Sequence, residues 1–462
     1  MSDALLQHPF MSQTALSECS AEAMVAGMLA FELALAEVQE ARGLLPEGVA
    51  AQMRKALEGH AFDIASIGAG VASGGNAAIP FVKQARAALP AELRRHFHLG
   101  ATSQDVIDSA LMLLLKPRLA ALDTLLRRCR SAALALMQAH ETTVMVGRTL
   151  MQQALPITFG VKVAHWGIGL EQARRRLATL ELPVQFGGAV AVHSGLDGPG
   201  LDGPGLDGQG SDETDPGGLG LELMDALAQR LELSVPVLPW HTDRQPIHAL
   251  ATALDAVAGA AEKLALDVAL LTQTEVGEVS EPGGEGMGES SSMPHKRNPV
   301  RCALIRGAAR QVHGHVSVIL NAHAQPLERG LGEWHAEWTP LLDSALLVEG
   351  ALEQAAVLLE GLKVHPEAMR RNLAATGGGI MAEPVSRLLA PTLGQEAAKR
   401  ISAEAAETAR LQGVAYADAL QAHSELQGQV EAQALRQATD PALYLGSSQA
   451  QVRRAAAWLQ RE

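Results

Sequence analysis

The chain has 462 residues, enough for a large core and two or three domains. Hydrophobic residues make up 47% and aromatics only 3%, with Ala and Leu recurring throughout, a balance that favours helices over strands. The 37 Lys and Arg against 51 Asp and Glu give a net charge of −14, which speaks against nucleic acid or an anionic membrane as partner. An anionic substrate then requires cations gathered in one cleft. Cys19, Cys129 and Cys302 give neither a disulfide framework nor a zinc spacing, and fit a reducing compartment. The start MSDALLQHPF lacks the basic residues and apolar run of a signal peptide, and no stretch of about 18 apolar residues suggests a membrane span. The expectation is a cytoplasmic protein.

Along the chain, residues 18–42 read as a helix, with Met24, Met28, Phe31, Leu35 and Val38 three and four apart. SGGNAAIPFVKQ is a Gly-rich turn feeding a further helix. In HLGATSQDVIDSALMLLL (98–115), Thr102, Ser103 and Asp105 stand where helix caps belong, ahead of an apolar helix. From about 106 to 360 the pattern is one long helix after another. The clearest is 247–276, where Ile247, Leu250, Leu254, Val257, Ala261, Leu264, Val268 and Leu271 follow a near 3.5-residue repeat, the seam of a bundle. At about 1.5 Å per residue it would be roughly 45 Å long and is expected to pack against helices of other subunits. GLDGPGLDGPGLDGQG (195–210) has no apolar face and reads as a loose insertion; its aspartates match no calcium-loop spacing. The expected domains are 1–105, 106–350 with that insertion, and 351–462.

The segment GGEGMGESSSMPHKRNP (283–299) stands apart. Its glycines make a permissive backbone, three hydroxyls follow, and two prolines stiffen a cationic end. Such a segment suits a lid that closes over an anion and moves a proton, although a surface loop beside a basic turn has the same composition.

SSSMPHKRNP resembles the signature of the fumarase/aspartase superfamily, and GATSQD and GRTLMQQALPITFG resemble its first and second Thr-containing blocks, in the same order. Within it, GGNAAIPFVK, HLGATSQDVIDSA, QFGGA, PWHTDR, LTQTEVGEV, LERGLGEWHAEW and DPALYLG look like the 3-carboxy-cis,cis-muconate cycloisomerase family. The likeness implies an all-α fold of three helical domains around a central long-helix bundle. It also implies a homotetramer with active sites shared between subunits, a small tricarboxylate substrate, and no cofactor or metal. By the same likeness Ser290 is the acid/base on the carbon next to a carboxylate, and Lys296 and Asn298 hold that carboxylate. Thr102, Ser103, Thr149 and Gln152 bind substrate; Arg244 and Arg329 are basic positions assigned to substrate. His98, His241, His295 and His335 lie in matching segments, each either a substrate donor or a buried structural group, with His98 taken as substrate-binding.

The implied reaction is intramolecular. One carboxylate adds to a conjugated double bond and closes a five-membered lactone, while a proton joins the carbon beside another carboxylate. That second carboxylate carries extra negative charge on the way, which fixed cations and donors stabilise. Many lyases of the superfamily carry His where this chain has Leu150, to protonate an amine or hydroxyl leaving group. Leucine moves no proton, and a departing carboxylate needs none. Leu150 therefore argues for lactonisation and against an adenylosuccinate-type lyase. Glu289, directly before Ser290, and Gln245, after Arg244, depart from the family pattern. Glu289 alone favours a third reading, a catalytically silent scaffold. His313 and His315 read as an exposed helix face, not a metal site.

Overall fold

The computed structural model describes residues 9–194, 196, 218–283, 288, 293 and 295–461. The Gly-Leu-Asp repeat (apart from Leu196), Glu289 and Ser290 lie outside the described residues. Among those described, helices dominate and follow the apolar spacing. The helix Ala21–Ala41 starts at Ser20, whose side chain accepts the Ala23 N–H. Met28, Phe31, Leu35 and Val38 are buried on one face of it. Asn76 opens the helix Ala78–Ala88 in the same way, its Oδ1 accepting the Ala78 and Ile79 N–H groups. That helix turns Phe81, Val82 and Ala85 inward, where Phe81 packs 5.3 Å from Phe62 and 6.4 Å from Phe97, centroid to centroid.

Five further long helices follow: Ser103–Ala139, Phe159–Leu177, Gln245–Leu271, Val300–Asn321 and Glu333–Gly361. All eight seam positions expected in 247–276 are buried. The helix itself has 27 residues, about 40 Å.

The helical reading of 106–360 missed a hairpin. Strands β1 (Val144–Thr149) and β2 (Gln152–Thr158) pair antiparallel, with Thr149 opposite Gln152. Their two-residue turn, Leu150–Met151, has φ of 49° and 66°. Two successive left-handed residues are what a tight hairpin turn requires for its twist to match the strands. Neither residue is a glycine, so the backbone is strained there. The β-branched and apolar residues of Val144–Val146 and the proline at 156, which ends helix propensity, were the available signals. A second short pair joins β3 (Val279–Ser280) to β4 (Lys363–Val364).

The chain divides into two compact units, and the boundaries fall inside the five long helices. The first comprises Met1–Thr124, Arg175–Ala258 and Gly307–Ala351; the second Leu125–Arg174, Gly259–Arg306 and Leu352–Glu462. The second has an apolar core built on Val146, Met381, Leu389, Ile401 and Leu420. Tyr416 is buried in it with its hydroxyl donating to the Ser402 carbonyl at 2.9 Å, and burial pushes that phenol up to about 12. No helix among the described residues is long and apolar enough to cross a membrane.

Candidate active site

In the first unit, four segments singled out in the sequence converge on the start of the Ser103–Ala139 helix. Asp105 organises the first turn. Its Oδ2 accepts the Thr102 N–H at 2.9 Å, the return half of a capping box, and also the Gly188 N–H at 2.9 Å. Its Oδ1 meets His241 Nε2 at 2.6 Å, and both side chains are buried. The carboxylate thus fixes the Thr102–Ser103 backbone, the glycine turn of QFGGA and the histidine of PWHTDR at once. One turn further on, Ser109 Oγ accepts the Gln185 N–H and donates to the Gln185 carbonyl, while Gln185 Oε1 accepts the Trp240 N–H.

Arg244 lies between two carboxylates on the far side of this network. Its Nη1 and Nη2 reach Asp108 at 2.8 and 3.3 Å, its Nη2 reaches Glu337 at 2.7 Å and its Nε reaches Glu337 at 3.1 Å. The guanidinium lies 4.7 Å from the Trp240 ring centroid, and Trp334 Nε1 donates to Asp108 at 2.9 Å. Burial alone favours the neutral form, but Asp108 and Glu337 outweigh it and raise the Arg244 pKa. The residue is 2% exposed and its donors all point at groups of its own chain, so the structure gives Arg244 a framework post where a substrate contact was expected. Arg329 is also engaged: it donates to Gln104 Oε1 at 3.2 Å and to the Gly188 and Ala189 carbonyls at 3.3 and 2.7 Å. It remains half-buried, with its pKa lowered by burial.

His98 is built differently. Its backbone takes φ 64°, left-handed for a non-glycine residue, and its Nδ1 lies 2.6 Å from Glu32 Oε1. Glu32 is 2% exposed. Burial alone would push the imidazole down; Glu32 more than offsets this and holds it above its ordinary value, with Arg86 opposing and Asp105 assisting. His98 and Ser103 together line a cavity of about 340 Å³. His335, another of the four histidines in matching segments, is exposed, with Nε2 3.0 Å from the Gly75 carbonyl.

The second unit carries the remaining residues expected at the site. Thr149 and Leu150 sit exposed at the hairpin tip, Leu150 at 96%. Just before them, Arg148 forms a two-pronged pair with the buried Glu278 at 2.8 and 2.9 Å, and Asn372 donates to the same carboxylate at 2.8 Å. The segment 283–299 is held at both feet. Glu281 accepts the Arg301 and Cys302 N–H groups at 3.1 and 2.8 Å, capping the helix Val300–Asn321, and the Asn298 N–H donates to the Gly288 carbonyl at 2.9 Å. Asn298 lines a cavity of about 310 Å³ with Ser280, Glu281 and Arg297. Lys296 and His295 are exposed. A larger cavity of about 600 Å³, lined by Arg370, Tyr416 and Asp440 among others, contains none of the expected site residues.

The sequence reading passed over Glu32, Asp108, Glu278, Glu281 and Glu337 as site-builders. Asp105 and Asp108 were visible as two acids in an otherwise apolar run, which is a sign of buried charge that must find a partner. Gln245, where an acid was expected, begins the Gln245–Leu271 helix, and the nearby Asp243 carboxylate accepts its N–H at 3.3 Å. His313 pairs with Asp255 at 2.5 Å. Among the described residues no group of three or more His, Cys, Asp or Glu is placed to hold a metal ion.

A helical chain with a Thr-Ser helix start fixed by a buried acid, a Thr-x-x-Gln hairpin tip and a stapled Gly-Ser segment has the parts of a lyase. The family model described as lyase matches residues 9–199 and 222–314, and the chain belongs to that family, within the fumarase/aspartase superfamily. It is 38% identical to the 3-carboxy-cis,cis-muconate cycloisomerase of Bradyrhizobium diazoefficiens, over 100% of both chains. It is also 38% identical to the nitrosuccinate lyase of Streptomyces davaonensis, over 94% of this chain and 90% of that one. The crystal structure of the 3-carboxy-cis,cis-muconate lactonizing enzyme from Pseudomonas putida aligns with a TM-score of 0.87 at 36% identity, covering 98% of each chain. The fold is therefore the all-α fumarase/aspartase fold.

Two outcomes follow from this geometry. Arg244→Leu leaves Asp108 and Glu337 buried without a counter-charge and should cost about 3–5 kcal/mol in urea unfolding. Arg244→Lys should recover less than half of that, because an ammonium cannot serve two carboxylates with a planar fork; a loss below about 1 kcal/mol for the leucine variant would contradict the assignment. The second concerns His98. Because its folded pKa is raised, the stability that Glu32 supplies is complete below the unfolded value of about 6.5 and disappears as pH rises through the folded value. Glu32→Gln should therefore melt lower than wild type near pH 6, by the equivalent of about 1–3 kcal/mol, with the gap shrinking as pH rises. A gap independent of pH would exclude the pairing.

Proposed function

We propose that this chain catalyses the lactonisation of 3-carboxy-cis,cis-muconate to a carboxymuconolactone, in the breakdown of aromatic compounds through protocatechuate and β-ketoadipate. The observation that carries the reading is the likeness to a cycloisomerase over 100% of both chains. Leu150 supports it by removing the proton donor that amine or hydroxyl leaving groups need. Ser290 moves the proton at the carbon beside one carboxylate, and Lys296 and Asn298 hold that carboxylate as it takes up charge. The Thr102–Ser103 and Thr149–Gln152 blocks orient the rest of the substrate. A serine does this only in a closed, dry site, where its alkoxide is stabilised. Arg244 is left out of the substrate shell because Asp108 and Glu337 occupy it.

The working form is a homotetramer with active sites shared between subunits. Leu150 and Met151 support this, being apolar, strained and bare at the tip of a hairpin. The enzyme works in the cytoplasm, in keeping with three unpaired cysteines, two of them buried.

The nitrosuccinate lyase relative supports a second reading, elimination of nitrite from a nitro acid. Nitrite also leaves without needing a proton, so Leu150 does not separate the two. The assays do. Loss of the diene absorbance of 3-carboxy-cis,cis-muconate is expected at rates typical of metabolic enzymes, about 1–10³ per second. Nitrite release from nitrosuccinate with no effect on the muconate would sink the first reading. Ser290→Ala should lower kcat by about 10²–10⁴-fold with an unchanged melting temperature. Near-normal turnover would remove the serine from its role.

A further inference from the structure

The helix Ala78–Ala88 buries Phe81 and Ala85 and leaves Ile79, Lys83 and Arg86 as one stripe, four and three residues apart. This stripe, with Ala78, Val82, His98 and Ser103, lines the cavity of about 340 Å³, within the range of roughly 300–1,000 Å³ usual for small-molecule sites. The charge of this lining is one-sided. Three basic side chains and one hydroxyl face it, and no carboxylate is among the lining residues. In a chain of net charge −14, such a cluster is a local reversal of sign.

Neither Lys83 nor Arg86 pairs with a carboxylate among the described residues. Arg86 uses Nη2 to hold the Phe97 carbonyl at 2.8 Å, directly before the left-handed turn at His98, and keeps its other donors. His98 has its counter-charge behind it, on the buried Glu32, through Nδ1. The rest of the lining is Ala78, Ile79 and Val82, which present no polar side chain to compete for an anion.

We infer that this cavity is a carboxylate subsite, in which Lys83, Arg86, His98 and the Ser103 hydroxyl hold the one substrate carboxylate that takes no part in bond making. The inference rests on the function proposed above. Lactonisation employs one carboxylate as nucleophile and a second as the acceptor of negative charge, which leaves the third as a spectator. A spectator is bound equally in the ground and transition states, so its contacts appear in KM and not in kcat. Lys83 is the specificity-determining residue of this subsite. It is exposed, makes no structural contact among those described, and can be changed without disturbing the fold.

The test is steady-state kinetics of the full-length enzyme at fixed ionic strength. Lys83→Gln should raise KM for 3-carboxy-cis,cis-muconate by about 10–100-fold, the range of one charge-assisted hydrogen bond, with kcat within about threefold. Lys83→Arg should restore most of it. Inorganic phosphate should inhibit the wild type competitively and Lys83→Gln more weakly; inhibition that is not competitive would mark a separate anion site and overturn the inference. So would a KM within about twofold of wild type, or a fall in kcat at constant KM. If the wild type does not turn over this substrate, the functional reading falls on its own. The subsite is then judged by calorimetric titration with tricarballylate: binding about tenfold weaker in Lys83→Gln retains it, and equal binding removes it.

Discussion

Arg244, almost wholly buried, shares its guanidinium between Asp108 and Glu337, while Asp105, one helical turn before Asp108, holds His241 and two backbone amides. The first unit is arranged around these charges. Three loops that carry no regular structure of their own, around Thr102, Gly188 and Trp240, and the first turn of the Glu333–Gly361 helix at Trp334 are tied to one helix start by the acids that project from it. A buried ion pair contributes little net stability over an apolar core, but removing one partner is costly, so the pairing specifies one arrangement of loops. That specificity places Thr102 and Ser103 with their backbone already fixed, which is the preorganisation a catalytic site needs.

The second unit uses the same device with different partners. Glu278 receives Arg148 and Asn372, and so holds the hairpin one residue before the tip that bears Thr149 and Gln152. Glu281 receives two amides at the start of a long helix and so fixes one foot of the Gly-Ser segment. Thr149, Gln152 and Lys296 are exposed and Asn298 is half-buried, and the carboxylates beside them, Glu278 and Glu281, are buried and half-buried.

Much of this was legible in the chain. The apolar spacing marked the helix around Ala21–Ala41, the one after Ser103 and the seam of Gln245–Leu271, because burial on one face leaves a periodic trace whatever the tertiary partner. The motif segments were legible as a set, and the contacts of Asp105, Asp108 and Gln104 show which of them meet in the first unit. Three things were not. The hairpin was absorbed into a helical run, since its strands are short and its turn lacks the glycine or asparagine that marks such turns. Arg244 was assigned to substrate, because a motif records that an arginine is needed but not which carboxylates surround it. The cationic lining of Lys83, Arg86 and His98 joins residues fifteen apart across a turn, and no local pattern announces that a helix stripe and a strained loop share one cavity.

The central claim is that a carboxylate of the substrate closes a ring while a proton arrives next to another carboxylate. Proton and carbon magnetic resonance of the product formed from 3-carboxy-cis,cis-muconate in deuterated water tests it most directly. The account predicts a five-membered lactone carrying a single enzyme-delivered deuterium at the carbon beside a carboxylate. An open-chain product, or a lactone with no deuterium at that carbon, would contradict it.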